Sequence, residues 1–507
     1  MFIYVVNLMD LIDRITNFRY TPRYGPEWGS GGIFGLIYHK GILYFTLAFE
    51  AEAYFIGSDR SGIYKFDLVG VKPGPRSGGD TYNAVEAVDD NIYFGGWVHA
   101  PAIYLGKTDR RGRILFHNKF SHIHSYDIRE DRVKVLWTDS INHESEWAGE
   151  VSEIIYNPVD DGLFIARADG HRNLGIYYMD RKDGRVTCIS GLPGLKGTRY
   201  LDQVCFDATR SWVRGVEAIQ TIDLTTKKLE VKEIDYRNAA VDGGDVWWPY
   251  SGCATSAYSR IFFFVRGGVI VGDPLGDIEE LAFIRLFDFG YTGYSPSRTM
   301  AKPIAGGILV AFNSYTHGLI HPRNDFEKKL KEAFSFIVGP SILLYITPPI
   351  ARIVSSFGAR ITGFESLGRE LIIASSNEAN LAADDATPID TGVRGFTLLS
   401  YDKIVASGSQ PVCFQIFGRH IENNVWGGIP LYGYREPRIT VTSKKRVRDT
   451  KLTIYSYDLS LPASKAEVDS YVVKYGELID LSSFRDSIVS FKFDDIDLDA
   501  KIKIHLS

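Results

Sequence analysis

Apolar residues in this chain come in short runs broken by Gly, Asp and Asn, and one arrangement of runs and breaks recurs seven times. Each copy has a small or polar start, a strand, a tight turn, a second apolar strand, a polar residue and a third strand. The copies run from Gly29 to Asp59, Gly79 to Asp109, Gly149 to Asp180, Leu201 to Leu224, Ser251 to Pro274, Ser297 to Pro322 and Gly358 to Leu381. Their starts lie about 50 residues apart, the size of a four-stranded propeller blade. The turns NPVDDG, VDDN and YHKG carry the chemistry of short hairpins. Runs such as RIFFFV (260–265) are apolar on both faces, as strands covered on both sides must be. The pattern therefore predicts an all-β chain: an N-terminal segment (1–24), then a seven-bladed β-propeller over 25–410. Inner strands are expected to begin near Gly32, Tyr82, Val151, Gln203, Cys253, Thr299 and Ile361. A β-sandwich with coincidental spacing is the competing architecture. FEKKLKEAFSF (326–336) alternates charged and apolar residues at helical spacing and predicts a helical insertion at about 323–337. Beyond 410 the repeat stops. The period-two alternation of KIKIHLS and its neighbours predicts a small C-terminal antiparallel β-sandwich-like domain (411–507), serving stability or oligomerisation.

Composition narrows the function classes. The charge of −5 and pI of about 6.2 come without long same-sign runs, so there is no electrostatic footprint for nucleic acid. The longest apolar stretch, Phe334 to Ile350, contains Pro340, Pro348 and Pro349 and is too short to span a bilayer. The opening residues are interrupted by Asp10 and Asp13 and lack a cleavage site, which reads as a strand or short helix of a cytoplasmic protein with no membrane partner. Cys188, Cys205, Cys253 and Cys413 are far apart in sequence and are expected to be buried and reduced. With only four Met, the chain suits a hot habitat.

RYGPEWGSGGIFGL (23–36), followed by LYFTLAFEAEAYFIG (43–57), resembles the archaeal family of domain of unknown function 2139. The resemblance implies a thermophilic archaeal origin and carries no activity or functional residue with it. The site has to come from the residues.

In a propeller, the loops leading into the innermost strands and the turns joining second to third strands lie on one face. Superposing the repeats places Glu27, Asp80, Glu150, Asp202, Tyr250, Arg298 and Arg360 in the first set. The second set is Glu50, His99, His171, Glu217, Arg266, His317 and Asn377. A solvated loop or a strand cap accounts for any one of them singly, but a ring of ionisable groups is hard to explain as packing. Trp28, Trp97, Trp147, Trp247 and Trp248 stand among them. An aromatic face beside carboxylates and histidines suits a sugar ring, with wedging between blades as the alternative for Trp97. A saccharide or another small polar ligand is the expected partner.

Paired carboxylates in a cleft would cleave a glycosidic bond, and Glu150 with Asp202 is the expected pair, Glu50 being the third candidate. Trp28, Asp80, Trp97, His99, Trp147, His171, Trp247, Trp248, Arg298, His317 and Arg360 would bind the substrate. No cofactor is expected on this reading. Alternatively, His99, His171 and His317 converge on a divalent transition metal for a lyase or oxidoreductase, or the propeller is a non-catalytic scaffold. The absence of a P-loop, dinucleotide fingerprint, nucleophile elbow or zinc-protease helix disfavours those four chemistries.

Overall fold

The computed structural model describes residues 8–17, 33–47, 51–66, 78–101 except 82, 104–105, 113–146, 149–168, 172–209, 215–236, 249–276, 280–314, 325, 328, 336–376, 394–406, 408–444 and 449–507. The chain is all-β, 57% strand and 6% helix, built of many four-stranded antiparallel sheets. It forms two compact units. One holds Met1–Trp212, Gln220–Val231 and Ile361–Tyr401, and the other Val213–Ile219, Lys232–Arg360 and Asp402–Ser507.

Successive strands pair with their sequence neighbours because the turns between them are tight. In the first sheet, Ile33–His39, Ile42–Leu47, Glu52–Ile56 and Ser61–Lys65 pair in chain order. Lys40, at φ 46°, turns the first hairpin. The third sheet repeats this with Glu150–Asn157, Gly162–Ala168, Gly175–Asp180 and Val186–Ser190. Second strands such as Gly162–Ala168 and Arg260–Val265 are wholly buried, whereas outer strands such as Ser61–Lys65 are mostly exposed. In the second sheet the leading strand is broken in two: Gly78–Asp80 and Val85–Val88 both pair with Asn91–His99, which is followed by Lys119–Asp127 and Arg132–Asp139.

The fourth sheet departs from expectation. Its leading strand is Gly197–Tyr200, and Gln203–Thr209, expected to be innermost, comes second. Gly197–Tyr200 is only four residues long and lacks an apolar run, so periodicity passes over it. Leu201, at φ 51°, and Asp202 form the turn between the two strands.

Within the first unit, a hydrophobic layer lies between each pair of neighbouring sheets. Leu36 and Phe45 meet Leu367 and Ile372 of the seventh sheet (Arg360–Leu367, Glu370–Ser376 and Arg394–Ser400), Tyr44 and Phe55 meet Phe94 and Tyr126, Tyr93 and Ile123 meet Val151 and Ile165, and Phe164 meets Phe206 and Ile222. The helix Leu8–Thr16 adds Leu11 and Ile15 to the first of these layers.

In the second unit, the fifth sheet (Ser251–Ala257 to Ala282–Arg285) and the sixth (Ala301–Ile304 to Ile350–Phe357) share one core with two C-terminal sheets. One of these orders Val412–Phe417, Lys501–Leu506, Arg438–Thr442 and Leu478–Asp480, and the other Trp426–Pro430, Ile488–Phe493, Thr450–Tyr457 and Glu467–Val473. Lys501–Leu506 alternates exposed and buried residues, as its period of two requires. Of the expected helical insertion, Asp325 and Lys328 are helical and most of the rest lies outside the described residues. Cys205 and Cys253 are buried as expected, but Cys188 and Cys413 are exposed, because both sit at outward positions of strands at sheet edges. Among the described residues no helix is long and apolar enough to cross a membrane.

Candidate functional site

The strand Glu150–Asn157 carries two carboxyls, and each meets a buried lysine from a different neighbour. Glu150 Oε1 lies 3.5 Å from Lys119 Nζ of the second sheet. Glu153 Oε2 lies 3.4 Å from Lys196 Nζ, in the segment leading into the fourth sheet. Both lysines and Glu150 are less than a tenth exposed. Lys196 Nζ also donates to the Ser152 carbonyl at 2.5 Å. A bulge between Val151 and Glu153 interrupts the strand's pairing with Gly162–Ala168 between the two carboxyls.

Cross-strand register gathers further residues about Lys119. Lys119 faces His99, and Ser121 faces Trp97, on the neighbouring strand. On that strand's other side, Gly78 faces His99 and Asp80 faces Trp97. Lys119 Nζ sits 4.5 Å from the centre of the Trp97 ring, and Trp97 meets His99 edge to face at 5.1 Å. Ser121 donates to the Gly149 carbonyl at 3.1 Å. Beside this group Arg167 pairs with Asp139 at 2.8 Å and lies over the rings of Trp137 and Tyr177. Each of these cations thus has a carboxylate, so the cluster carries hydrogen-bonding capacity without a large net field.

Burial sets the ionisation. It holds the His99 imidazole well below its usual range, helped by the positive charge of Lys119, so His99 is neutral. Burial pushes the Glu153 carboxyl up to about 7, against the opposing pull of Lys196 and the Gly197 N–H. Asp207, fully buried on the fourth sheet, is pushed up to about 6 by the same cause. It is occupied in holding the preceding loop, accepting from the Lys196 N–H at 2.5 Å, the Leu195 N–H at 3.1 Å and the Thr209 hydroxyl.

Trp97, His99 and Glu150 therefore lie together around Lys119, with the backbone of Asp80 beside them. Asp202 is not. The Asp202 carbonyl accepts from the Leu224 N–H at 2.9 Å, and the Leu224 carbonyl accepts from Asn157, at the opposite end of the strand that begins with Glu150. That strand's eight residues span roughly 23 Å at about 3.3 Å each. Glu150 and Asp202 thus lie at opposite ends of their sheets. The expected pairing fails because the fourth sheet leads with Gly197–Tyr200 and not with the strand that begins at Gln203. The position equivalent to Glu150 in that sheet falls near Lys196.

Trp97 is wedged, 7% exposed and covered by Lys119, so it offers no free face for stacking. Arg298 and Arg360 are buried in the second unit, Arg298 in a turn at φ 52° and Arg360 at the start of a strand. Trp28, Glu50, Trp147, His171, Trp247, Trp248 and His317 lie outside the described residues. Among the described residues no three His, Cys, Asp or Glu side chains gather as a metal site would need. Lys119, Glu153 and Lys196 were missed by sequence reasoning. On a regular strand a spacing of three sets Glu150 and Glu153 on opposite faces, so it gives no signal for Glu153, and nothing local singles out either lysine.

The chain resembles several solved structures weakly. The β-propeller domain of the trilobed protease from Pyrococcus furiosus is 11% identical, with 73% of this chain and 95% of that one covered and a TM-score of 0.37. A glycoside hydrolase family 43 arabinoxylan arabinofuranohydrolase from Bacillus subtilis, in complex with cellotetraose, is 11% identical over 83% of this chain and 94% of that one, at a TM-score of 0.31. An oligogalacturonate lyase in complex with manganese is 12% identical over 55% of this chain and 74% of that one, at 0.35. Likenesses at these scores do not bear on this chain's chemistry. No curated protein matches the chain in sequence. The match that does identify it spans residues 43–384, and the chain belongs to the family of uncharacterized proteins conserved in archaea, DUF2139.

Proposed function

We propose that this protein is a carbohydrate-active seven-bladed β-propeller, and that it binds a saccharide at the end of the first unit where Glu150 and Glu153 lie. The observation that carries this reading is the pair of glutamates three residues apart on one strand, each beside a buried lysine, with Glu153 raised to about 7. A carboxyl that still carries its proton near neutrality is suited to protonating a leaving-group oxygen, and a second, ionised carboxylate completes the chemistry of glycosidic cleavage. Glu153 takes the acid role and Glu150 the role of base or nucleophile. The charge balance of the cluster favours a neutral, hydroxyl-rich ligand over an ion.

A second reading is a binding propeller without chemistry, in which the Glu–Lys pairs clamp neighbouring sheets. The burial of Glu150 and Lys119, and the lysine capping Trp97, favour it. One experiment separates the two: an oligosaccharide panel screened by thermal shift and product analysis, with Glu150→Gln and Glu153→Gln alongside the wild type. Catalysis predicts that each variant, assayed below its melting temperature, loses about 10²–10⁴-fold of the turnover the wild type shows. The clamp predicts lost stability, about 3–5 kcal/mol where a buried charge is left alone, and no turnover in any sample. Absence of both binding and turnover across the panel overturns the saccharide reading.

A further inference from the structure

The strand Glu467–Val473 is the last in its sheet, and among the described residues it is paired on one side only, with Thr450–Tyr457. Its first six residues are all exposed, and they include Val468 at 58%, Tyr471 at 38% and Val472 at 73%. An open sheet edge presents a row of unpaired N–H and C=O groups, which proteins normally guard with proline, a bulge or charges along the strand. This strand has no proline, its register with Thr450–Tyr457 runs without a shift, and its charges, Glu467 and Asp469, stand in its first half.

We propose that this edge is a homodimer interface: a second copy of the chain adds its own Glu467–Val473 antiparallel to the first, about a two-fold axis at Ser470. The register follows from strand geometry. Residues facing each other in an antiparallel pair have the same hydrogen-bonding role, so a two-fold axis must pass through a residue and not between two. An axis at Asp469 sets that aspartate against the partner's Asp469, and an axis at Val468 sets Glu467 against the partner's Asp469; both oppose like charges. Axes at Tyr471 or Val472 bring the cation of Lys474 opposite Val468 or Ser470. Only the axis at Ser470 matches the two most exposed valines, setting Val468 against the partner's Val472 and Val472 against the partner's Val468. Val468, Ser470 and Val472 share one face of the strand, and the small serine at the axis lets the four valines close over it. Asp469 then faces the partner's Tyr471, which opposes no charge to it.

A ladder of this length buries less than the roughly 800 Å² per partner of a standard interface, so a weak dimer is expected. The test is sedimentation equilibrium of the full chain from about 1 to 100 µM, the range that reads a micromolar Kd. The wild type should dimerise with concentration. V468K/V472K places lysine opposite lysine twice and should raise Kd by on the order of tenfold or more. V468K/V472E places lysine opposite glutamate twice in this register and should restore the dimer relative to V468K/V472K. Both positions are exposed in the single chain, so the melting curve at low concentration should stay unchanged and exclude misfolding. A wild type that remains monomeric throughout, a dimer insensitive to V468K/V472K, or a V468K/V472E variant as weak as V468K/V472K would each overturn the proposal.

Discussion

Glu153 is the residue whose environment most changes its chemistry. Burial raises its carboxyl from 4.5 to about 7 even with Lys196 3.4 Å away. A carboxyl with a raised folded pKa keeps a proton that the unfolded chain has already released. Its stabilising share is therefore complete below about pH 4.5 and is lost as pH climbs to about 7. A shift of this size corresponds to about 3 kcal/mol. Glu153→Gln, which cannot titrate, should make the fall in stability between pH 5 and 7 shallower, as read by urea unfolding at several pH values. A variant with the wild-type slope would show that Glu153 does not titrate in this window. Asp207 shifts the same way and leaves a residual slope in the variant. Sequence reasoning can place a glutamate on a strand, but its ionisation depends on what the neighbouring sheet lays over it.

Among elements, polar side chains in and beside the leading strands tie neighbouring sheets of the first unit together. Asn83 accepts from the Gly35 N–H at 2.8 Å and donates to the Thr362 carbonyl at 3.0 Å, so one buried amide joins the first, second and seventh sheets. Glu86 accepts from the Tyr156 N–H at 3.1 Å, and Glu365 from the Tyr38 N–H at 3.3 Å. Asn83 also sits at φ 61°, a left-handed conformation that asparagine tolerates better than alanine. Asn83→Ala should therefore cost about 2–4 kcal/mol from the two buried backbone groups it abandons. Denaturant unfolding measures this, and a loss under about 0.5 kcal/mol, the scale of an ordinary surface change, would contradict the tie. None of these ties is legible in sequence, because each joins residues dozens to hundreds of positions apart.

For the molecule as a whole, the second unit has one continuous core. Phe287 and Phe289 pack with Phe414 of the C-terminal sheets, Trp426 packs with Phe491, and the Tyr457 hydroxyl donates to the Arg285 carbonyl at 2.9 Å. Arg285 and Asp288 form a buried ion pair there. Gly428, at φ +69°, lets the backbone pass so close that a Cβ would lie 2.5 Å from the Arg285 carbonyl oxygen. Gly428→Ala should cost about 1–3 kcal/mol or more in strain. Because the core is shared, the variant should lose hydrogen-exchange protection together in Arg260–Val265 and Ile488–Phe493. Opening of Ile488–Phe493 alone would show that the C-terminal sheets stand apart energetically.

What the sequence determined by itself was local. The run-and-turn pattern identified an all-β chain of repeated antiparallel sheets, the alternation in the C-terminal tail marked its strands, and the family match follows from the same residues. Hairpin geometry also sets Trp97 and His99 at one end of their strand, facing Ser121 and Lys119. The tertiary structure decided the rest. Gly197–Tyr200 is a strand because Gln203–Thr209 folds back to pair with it, although its own four residues carry no apolar run, and that reassignment carried Asp202 to the far end and Lys196 to the near one. Burial, ion pairing and pKa depend on which chain segments meet across the gaps between sheets, and those meetings are set by packing over long sequence separations that no local pattern encodes.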